Sequence, residues 1–175
     1  IIQKKTTPVQ ISMSRAMAAC CQCHYCTDLC SRNLIGHPIE PHRFMRAISN
    51  GQSADTVAYI NTFFCSACGL CEMYSCGQGL NPASLIAQAK GALRANGVAI
   101  PKDATLNDVH SQRSVRRVPM ERLTARLGLA KYDVPAPLKN ELVDADSVKI
   151  MLSQSIGAPS VAAVKAGDAV KAGDV

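Results

Sequence analysis

Helical periodicity marks the stretch between residues 41 and 64. Pro41 suits the first position of a helix, where its missing N–H would have no partner, and Asn50-Gly51 can end that helix. Its apolar residues share one face at helical spacing: Phe44, Met45 and Ile48. Ser53 is predicted to cap a second helix, whose apolar positions lead directly into Cys65: Val57, Ile60 and Phe64.

A third helix is predicted after residue 80. Asn81-Pro82 is the expected pair of N-cap and first helical residue, and Asn96-Gly97 is a stop signal. An apolar stripe runs between them: Leu85, Ile86, Ala89 and Leu93. These helices predict a small helical domain, which we place at residues 18–97.

Residues 98–145 have the composition of a connector, because prolines recur along them: Pro101, Pro119, Pro135 and Pro137. One short helix is predicted there, ended by Gly128, with a face made of Met120, Leu123 and Leu127. Five arginines also fall here: Arg113, Arg116, Arg117, Arg122 and Arg126. We favour a solvated face, or pairing with acidic groups elsewhere in a longer protein. The functional alternative is a docking surface for an anionic partner, or a positive electrostatic field beside a cofactor.

The pattern changes again in residues 146–175. The stretch "VKIMLSQ" has strand composition, and Lys-Ala-Gly-Asp occurs twice, beginning at Lys165 and at Lys171. Gly-Asp steps between short apolar pieces are typical of tight turns in small β domains. We therefore predict a β segment here.

The cysteines add the decisive chemistry. Eight of the nine fall into two copies of one pattern, Cys20-x2-Cys23-x2-Cys26-x3-Cys30 and Cys65-x2-Cys68-x2-Cys71-x4-Cys76. Three thiolates at successive three-residue steps can wrap the backbone around one corner of a 4Fe-4S cluster, while the fourth arrives from another direction. The spacing predicts two 4Fe-4S clusters as cofactors.

In two-cluster ferredoxins, the fourth cysteine of each motif ligates the cluster of the other motif. Applied to this chain, that rule gives one cluster with the ligands Cys20, Cys23, Cys26 and Cys76. The other cluster takes Cys65, Cys68, Cys71 and Cys30. Cys21 is left over and is interpreted as a small residue beside the cluster.

Three alternatives fit these cysteines less well. Structural zinc sites are usually built from two separated pairs of ligands, which differs from a triplet followed by a fourth cysteine. A disulfide framework conflicts with the odd count and with the absence of an export signal. Radical chemistry on S-adenosylmethionine needs a three-cysteine cluster with an open iron, whereas each group here offers four thiols. Of these, a zinc module with a structural or nucleic-acid-binding role is the rival from another class.

Charge and composition bound the remaining classes. The formal net charge of +6 would suit nucleic-acid binding, but two clusters of about −2 each would lower it to about +2. We therefore expect no nucleic-acid partner. No apolar run approaches the length that spans a bilayer, and the first ten residues lack a signal-peptide pattern, so we expect no membrane span and a cytoplasmic protein. The chain starts without Met and stops inside a repeat, which suggests a piece of something longer.

No hydrolytic constellation is visible, and no catalytic residue is predicted. His24 lies between two predicted ligands and is interpreted as a hydrogen-bond donor near the cluster or as a surface residue. The other histidines show no paired acid, nucleophile or metal spacing: His37, His42 and His110. There is also no Gly-rich turn between a strand and a helix that would hold a dinucleotide.

Four stretches of the chain together resemble a known family. They are "CCQCHYCTDLCSRNLIGHPIEPHRFMRAI", "FFCSACGLCEMYSCGQGLNPASLI", "VRRVPMERLTARLGL" and "IGAPSVAAVKAGDAVKAGD". They are similar to the C-terminal part of the cobalamin reductases of propanediol-utilisation microcompartments (PduS) and, more distantly, to the RnfC proteins of Rnf electron-transport complexes. One departure is that Ser31 and Gly77 stand where such motifs usually have Pro after the fourth cysteine.

The resemblance implies a function for the whole protein. It implies that a missing N-terminal part binds FMN and NADH, and that the two clusters pass electrons onward to reduce a corrinoid in or near a bacterial microcompartment. Corrinoid reduction, transfer to a cluster-bearing shell protein, transfer to a ferredoxin and an RnfC-like role would all use the same ligands. This fragment alone is then an electron relay.

The resemblance also completes the predicted fold class, which is α+β. An end of a preceding domain or linker (1–17) comes before the α-helical two-cluster ferredoxin domain (18–97). The connector (98–145) and the β segment (146–175) follow. The β segment is similar to the start of the family's barrel-sandwich hybrid domain, truncated here.

Overall fold

The computed structural model describes residues 6–102, 104–139 and 145–174. Parts of the predicted segments 1–17, 98–145 and 146–175 therefore lie outside the described residues. Contacts divide the chain into two compact units, Ile1–Val134 and Pro135–Val175. None of the helices in the described part of the chain is long and apolar enough to cross a membrane.

The first unit is built from short helices. The α-helices span Val9–Ala19, Tyr25–Asp28, Ser31–Leu34, Pro41–Ser49, Thr56–Ile60, Pro82–Ala95 and Met120–Arg126. Two 3₁₀ helices span Asn61–Phe64 and Ala130–Tyr132, and a π-helix spans Cys71–Ser75. The longest three helices pack against one another around the core.

The core is small and reaches the cysteines. Its buried members are Ala16, Phe44, Met45, Leu80, Leu85 and Ile86. The Tyr59 ring meets the Phe44 ring edge-on at 5.8 Å, a favourable aromatic geometry. Three predicted ligands pack directly against this core: Cys20, Cys65 and Cys76. The apolar core therefore forms one wall of the cysteine-rich region.

The predicted helix after Pro41 is confirmed as Pro41–Ser49, and Gly51 ends it with a positive φ of 63°. The predicted cap of the next helix is wrong. Asp55 caps it instead of Ser53, because the Asp55 carboxylate accepts a hydrogen bond from the Ala58 N–H at 3.3 Å. The helix then tightens into the 3₁₀ turn Asn61–Phe64 before Cys65.

The third predicted helix is confirmed as Pro82–Ala95, but Asn81 caps it only by position. The Asn81 amide donates to the Ser12 hydroxyl at 3.1 Å and so ties this helix to the first one. The cap comes from Glu72, whose carboxylate accepts a hydrogen bond from the Ser84 N–H at 2.9 Å. A carboxylate also suits the positive end of the helix dipole.

The connector is held against the helical domain. Its short helix is confirmed as Met120–Arg126. The Asn107 N–H donates to the Gly36 carbonyl at 2.8 Å, and the His110 N–H donates to the Leu34 carbonyl at 3.1 Å. Residues 104–134 thus belong to the first unit.

The predicted α+β class is wrong, because no strand occurs among the residues that the structure describes. In the second unit the two repeats form tight turns, in which Asp168 and Asp174 accept hydrogen bonds from the N–H groups of Lys165 and Lys171 at 2.8 Å. Its apolar side chains stay in solvent; Ile156 and Val161, for example, are 107% and 94% exposed. A β segment needs partner strands and a covered apolar face, and the described part of this unit has neither.

Candidate metal centre

The two cysteine-rich loops share one backbone conformation. Gln22 and His24 flank the second cysteine of the first motif with positive φ angles of 54° and 66°. Ala67 and Gly69 flank the second cysteine of the other motif with φ angles of 58° and 75°. Residues with left-handed backbone at equivalent positions curl each loop around a cavity. This is the loop shape that the cysteine triplets predict.

A cavity of about 230 Å³, which we call the first cavity, is lined by Cys21 and by four predicted ligands. The four ligands come from both motifs: Cys20, Cys23, Cys26 and Cys76. Met45 and Leu80 from the core contribute to its wall, together with His24 and His42. The structure therefore gathers one complete predicted ligand set around a single cavity.

The second cavity is lined by the other predicted set: Cys30, Cys65, Cys68 and Cys71. It has apolar walls that include Ile39 and Ile86, and its volume is about 20 Å³. A cluster there would require the four side chains to move apart. That these eight thiols ligate iron stays a prediction; that each crossed set surrounds one cavity is a property of the fold.

The two cavities adjoin where the motifs end. The Tyr25–Asp28 helix packs against the π-helix Cys71–Ser75, so the stretches that precede both fourth cysteines lie together. The Cys71 thiol, in the second cavity, interacts electrostatically with the Cys26 thiol of the first.

The π-helix explains the unequal spacing of the two motifs. In the second motif the Cys76 N–H donates to the Cys71 carbonyl at 3.1 Å, a bond that spans five residues. In the first motif the Cys30 N–H donates to the Thr27 carbonyl at 2.9 Å, a tighter turn. The wide π turn takes up the extra residue of the x4 spacing, and both fourth cysteines still reach the opposite cavity.

Burial and the repulsion between neighbouring sulfurs oppose ionisation of these thiols and so raise the pKa of some of them. Burial, followed by the neighbouring thiols of Cys20 and Cys23, raises the pKa of the Cys26 thiol to about 12. Burial also raises the pKa of Cys71 far above its ordinary value, and Cys65 adds to the effect. Four thiolates in such a space need compensating positive charge, which iron ions would supply.

Nearby donors favour the charged sulfurs. Burial raises the pKa of the Cys30 thiol, while hydrogen bonds from the backbone N–H groups of Asn33 and Arg32 oppose that rise. In the second loop the Ala67 N–H points at the Cys65 sulfur at 3.4 Å. N–H groups directed at sulfur are one of the levers that set the reduction potential of an iron–sulfur cluster.

A cationic side chain stands beside the second cavity. The Lys90 ammonium donates to the backbone carbonyls of Phe63 and Cys65, both at 3.1 Å. It closes the end of the 3₁₀ helix that leads into the second motif and brings positive charge close to a predicted ligand. Sequence reasoning missed Lys90, because it lies on the polar face of a distant helix.

Sequence reasoning also missed His42. Its ring stacks on the His24 ring with centroids 3.7 Å apart, and its Nδ1 hydrogen-bonds the Thr27 hydroxyl at 2.9 Å. Burial, together with His24, lowers the pKa of His42 below its ordinary value. The two stacked rings cover one side of the first cavity. Nothing in the spacing of residues 24 and 42 indicates this pairing, which depends on how the Pro41–Ser49 helix packs.

The residues fit a 4Fe-4S cluster better than a single metal ion. Among the described residues, no three His, Cys, Asp or Glu side chains come close enough together to hold one ion. In the first cavity four thiols instead surround a larger space, as a cuboidal cluster requires. Cys21 is exposed at the edge of the first cavity, outside both sets of four.

Comparison with known proteins agrees with this geometry. Residues 19–81 match the family described as 4Fe-4S dicluster domain. Over 173 residues, or 99% of its length, the chain is 36% identical to the cobalamin reductase PduS of Salmonella typhimurium. It is 33% identical over the same length to the cobalamin reductase PduS of Citrobacter freundii. No solved structure matches the chain.

The chain is a relative of the PduS proteins. The resemblance predicted from the sequence is thus confirmed, and the matches support an iron–sulfur electron-transfer module. The chain spans 38% of the length of the two PduS proteins. After the fourth cysteine of the first motif, where such motifs usually have Pro, Ser31 begins the Ser31–Leu34 helix. Cys30 is the N-cap residue of that helix.

Proposed function

We propose that residues 18–97 relay electrons through two 4Fe-4S clusters. In this proposal Cys20, Cys23, Cys26 and Cys76 hold the first cluster, and Cys65, Cys68, Cys71 and Cys30 hold the second. The observation that carries it is that each of two adjoining cavities is lined by all four thiols of one crossed set, drawn from both motifs. Bound clusters would accept and release single electrons, so no bond-making side chain is needed.

The chain's own residues give this relay two ends. Cys23 in the first cavity and Cys68 in the second are exposed, whereas the other proposed ligands are partly buried. Each cavity therefore approaches solvent at one cysteine, while Cys26 and Cys71 lie toward the junction of the two cavities. Electrons would enter at one exposed end, cross the junction and leave at the other.

The relatives' names support a proposal for the whole protein. We infer that the relay serves a cobalamin reductase, in which a flavin and NADH bound outside this chain supply the electrons. Its partners would be a corrinoid enzyme or a cluster-bearing shell protein, in the cytoplasm within or beside a microcompartment. An RnfC-like role, with delivery to another acceptor, is the alternative that uses the same ligands.

Metal analysis and reduction test the relay. Purified without oxygen, the chain should contain about eight iron and eight acid-labile sulfide atoms. Dithionite should bleach its visible absorption, and NADH should not, because NADH needs a flavin to split its electron pair. Stoichiometric zinc without sulfide would contradict the proposal. Bleaching by NADH without an added flavoprotein would contradict the assignment of nicotinamide chemistry to another part of the protein.

A further inference from the structure

The arginine-rich stretch 113–126, which we call the arginine segment, is fastened beside the cysteine motifs at two points. The Arg116 guanidinium pairs with the Asp28 carboxylate at 3.0 Å, between two ligands of the first motif. The Arg126 guanidinium lies over the Tyr74 ring, 5.9 Å from its centroid, between two ligands of the second motif. The segment is therefore fixed next to the stretches where the two cavities adjoin.

Other residues of the arginine segment face solvent. Arg117 and Arg122 are exposed, and among the described residues neither pairs with a carboxylate. Exposed apolar side chains are interleaved with them, since Val115 is 78% exposed and Met120 is 69% exposed. The fourteen positions of this segment contain five arginines and one acidic residue, Glu121.

We propose that the arginine segment is a docking surface for an acidic electron-carrier protein. This inference rests on the proposed relay and goes beyond it, because it names the kind of partner and the place where it binds. Positive charge beside the junction of the cavities would attract a negatively charged partner and orient it there. The exposed Val115 and Met120 would supply the apolar contacts that hold a protein after the encounter.

The composition of the surface favours a protein over a nucleic acid. Arginine and methionine are enriched in protein interfaces, and apolar residues are interleaved with the charged groups here. Single-stranded nucleic acids are typically held on exposed aromatic platforms, whereas the arginine segment itself contains no aromatic residue and Arg126 lies over the neighbouring Tyr74 ring.

Two protein acceptors of opposite charge test the inference. The full chain with its clusters, reduced by dithionite and freed of excess reductant, is mixed with plastocyanin, an acidic blue-copper protein. Each transfer removes one electron from the chain and converts copper(II) to copper(I), which bleaches the blue colour. Cytochrome c, a basic protein, is the second acceptor. The double variant Arg117→Gln and Arg122→Gln should reduce plastocyanin about tenfold more slowly at low ionic strength, and the difference should vanish at high salt.

The control variant removes two positive charges elsewhere, as Lys165→Gln and Lys171→Gln. Its rate with plastocyanin should stay within about twofold of the unmodified chain, and the arginine variant should reduce cytochrome c no more slowly than that chain. Equal losses in both variants, or an equal loss with cytochrome c, would overturn the docking surface. So would weaker binding of labelled duplex DNA by the arginine variant with an unchanged plastocyanin rate. Failure of the unmodified chain to reduce either acceptor would instead overturn the relay.

Discussion

At the scale of single residues, Glu72 joins the second cysteine motif to the third long helix. It is buried next to Cys71, and its carboxylate accepts hydrogen bonds from both the N–H and the hydroxyl of Ser84. The same helix therefore receives its cap from a residue inside the motif. The sequence could not predict this, because twelve residues separate the two partners and Asn81-Pro82 already offers a local cap.

Replacing Glu72 should destabilise the domain. Glu72→Ala leaves the Ser84 N–H without this acceptor and removes a charge that suits the helix dipole, so we expect a loss of about 1 to 3 kcal/mol in the free energy of unfolding. Anaerobic urea titration measures it. Glu121→Ala, at an exposed position in the first turn of Met120–Arg126, should change that free energy by less than about 0.5 kcal/mol. Equal losses would show that the Glu72 cap is unimportant.

Cys21 provides a second test at this scale. It is exposed and lies outside both sets of four thiols. In the cluster-loaded chain, iodoacetamide should therefore modify Cys21 alone, because bound thiolates are protected. After the clusters are removed, the thiols of both sets of four should also react at about pH 8, because no iron protects them. Peptide mass spectrometry gives the sites. If Cys21 of the cluster-loaded chain stays unmodified while another cysteine is labelled, the proposed ligand sets are contradicted.

At the scale of elements, the position of the connector depends on one close contact between two backbone segments. Gly36 has a φ of 97°, and a side chain there would overlap the carbonyl oxygen of Asn107. This contact holds the stretch that continues into the arginine segment. The short helix after Pro119 was predictable from its local signals, but its attachment was not, because the attachment depends on backbone bonds between residues about seventy positions apart.

Gly36→Ala should therefore release the connector. We expect a loss of about 2 to 5 kcal/mol from backbone strain and overlap, with faster hydrogen exchange in residues 104–134. Gly51→Ala is the matched control, because Gly51 also has a positive φ but open space around it, and its cost should be about 1 to 2 kcal/mol. If the connector keeps its exchange protection in the Gly36 variant, the close approach does not hold it.

At the scale of the whole molecule, the cysteine spacing predicted more than the hydrophobic pattern did. The spacing indicated two crossed sets of thiols, and the fold gathers the same sets around two cavities. The pattern around "VKIMLSQ" failed, because short apolar runs form strands only when partners pair with them, and Ile150 is 67% exposed. The turns predicted at the Lys-Ala-Gly-Asp repeats are confirmed, because each turn is held by its own Asp side chain.

Cluster removal should unfold one unit and leave the other unchanged. The helical core is small and poor in aromatic residues, and three predicted ligands pack against it. Hydrogen exchange should therefore show protection in Val9–Ala19, Pro41–Ser49 and Pro82–Ala95 that is lost after chelation of the iron. Residues 145–174 should exchange quickly in both forms. Helices that stay protected without iron would show that the core folds by itself.

Iron content in two double variants tests the crossed ligand sets most directly. Cys26→Ala with Cys76→Ala removes two thiols of the first cavity, whereas Cys26→Ala with Cys30→Ala removes two thiols of the first motif. If the sets are crossed, the first variant keeps about four iron atoms and one cluster signal in electron paramagnetic resonance, and the second keeps almost none. The reverse result, with one cluster retained in the Cys26 and Cys30 variant and none in the other, would contradict the crossed arrangement.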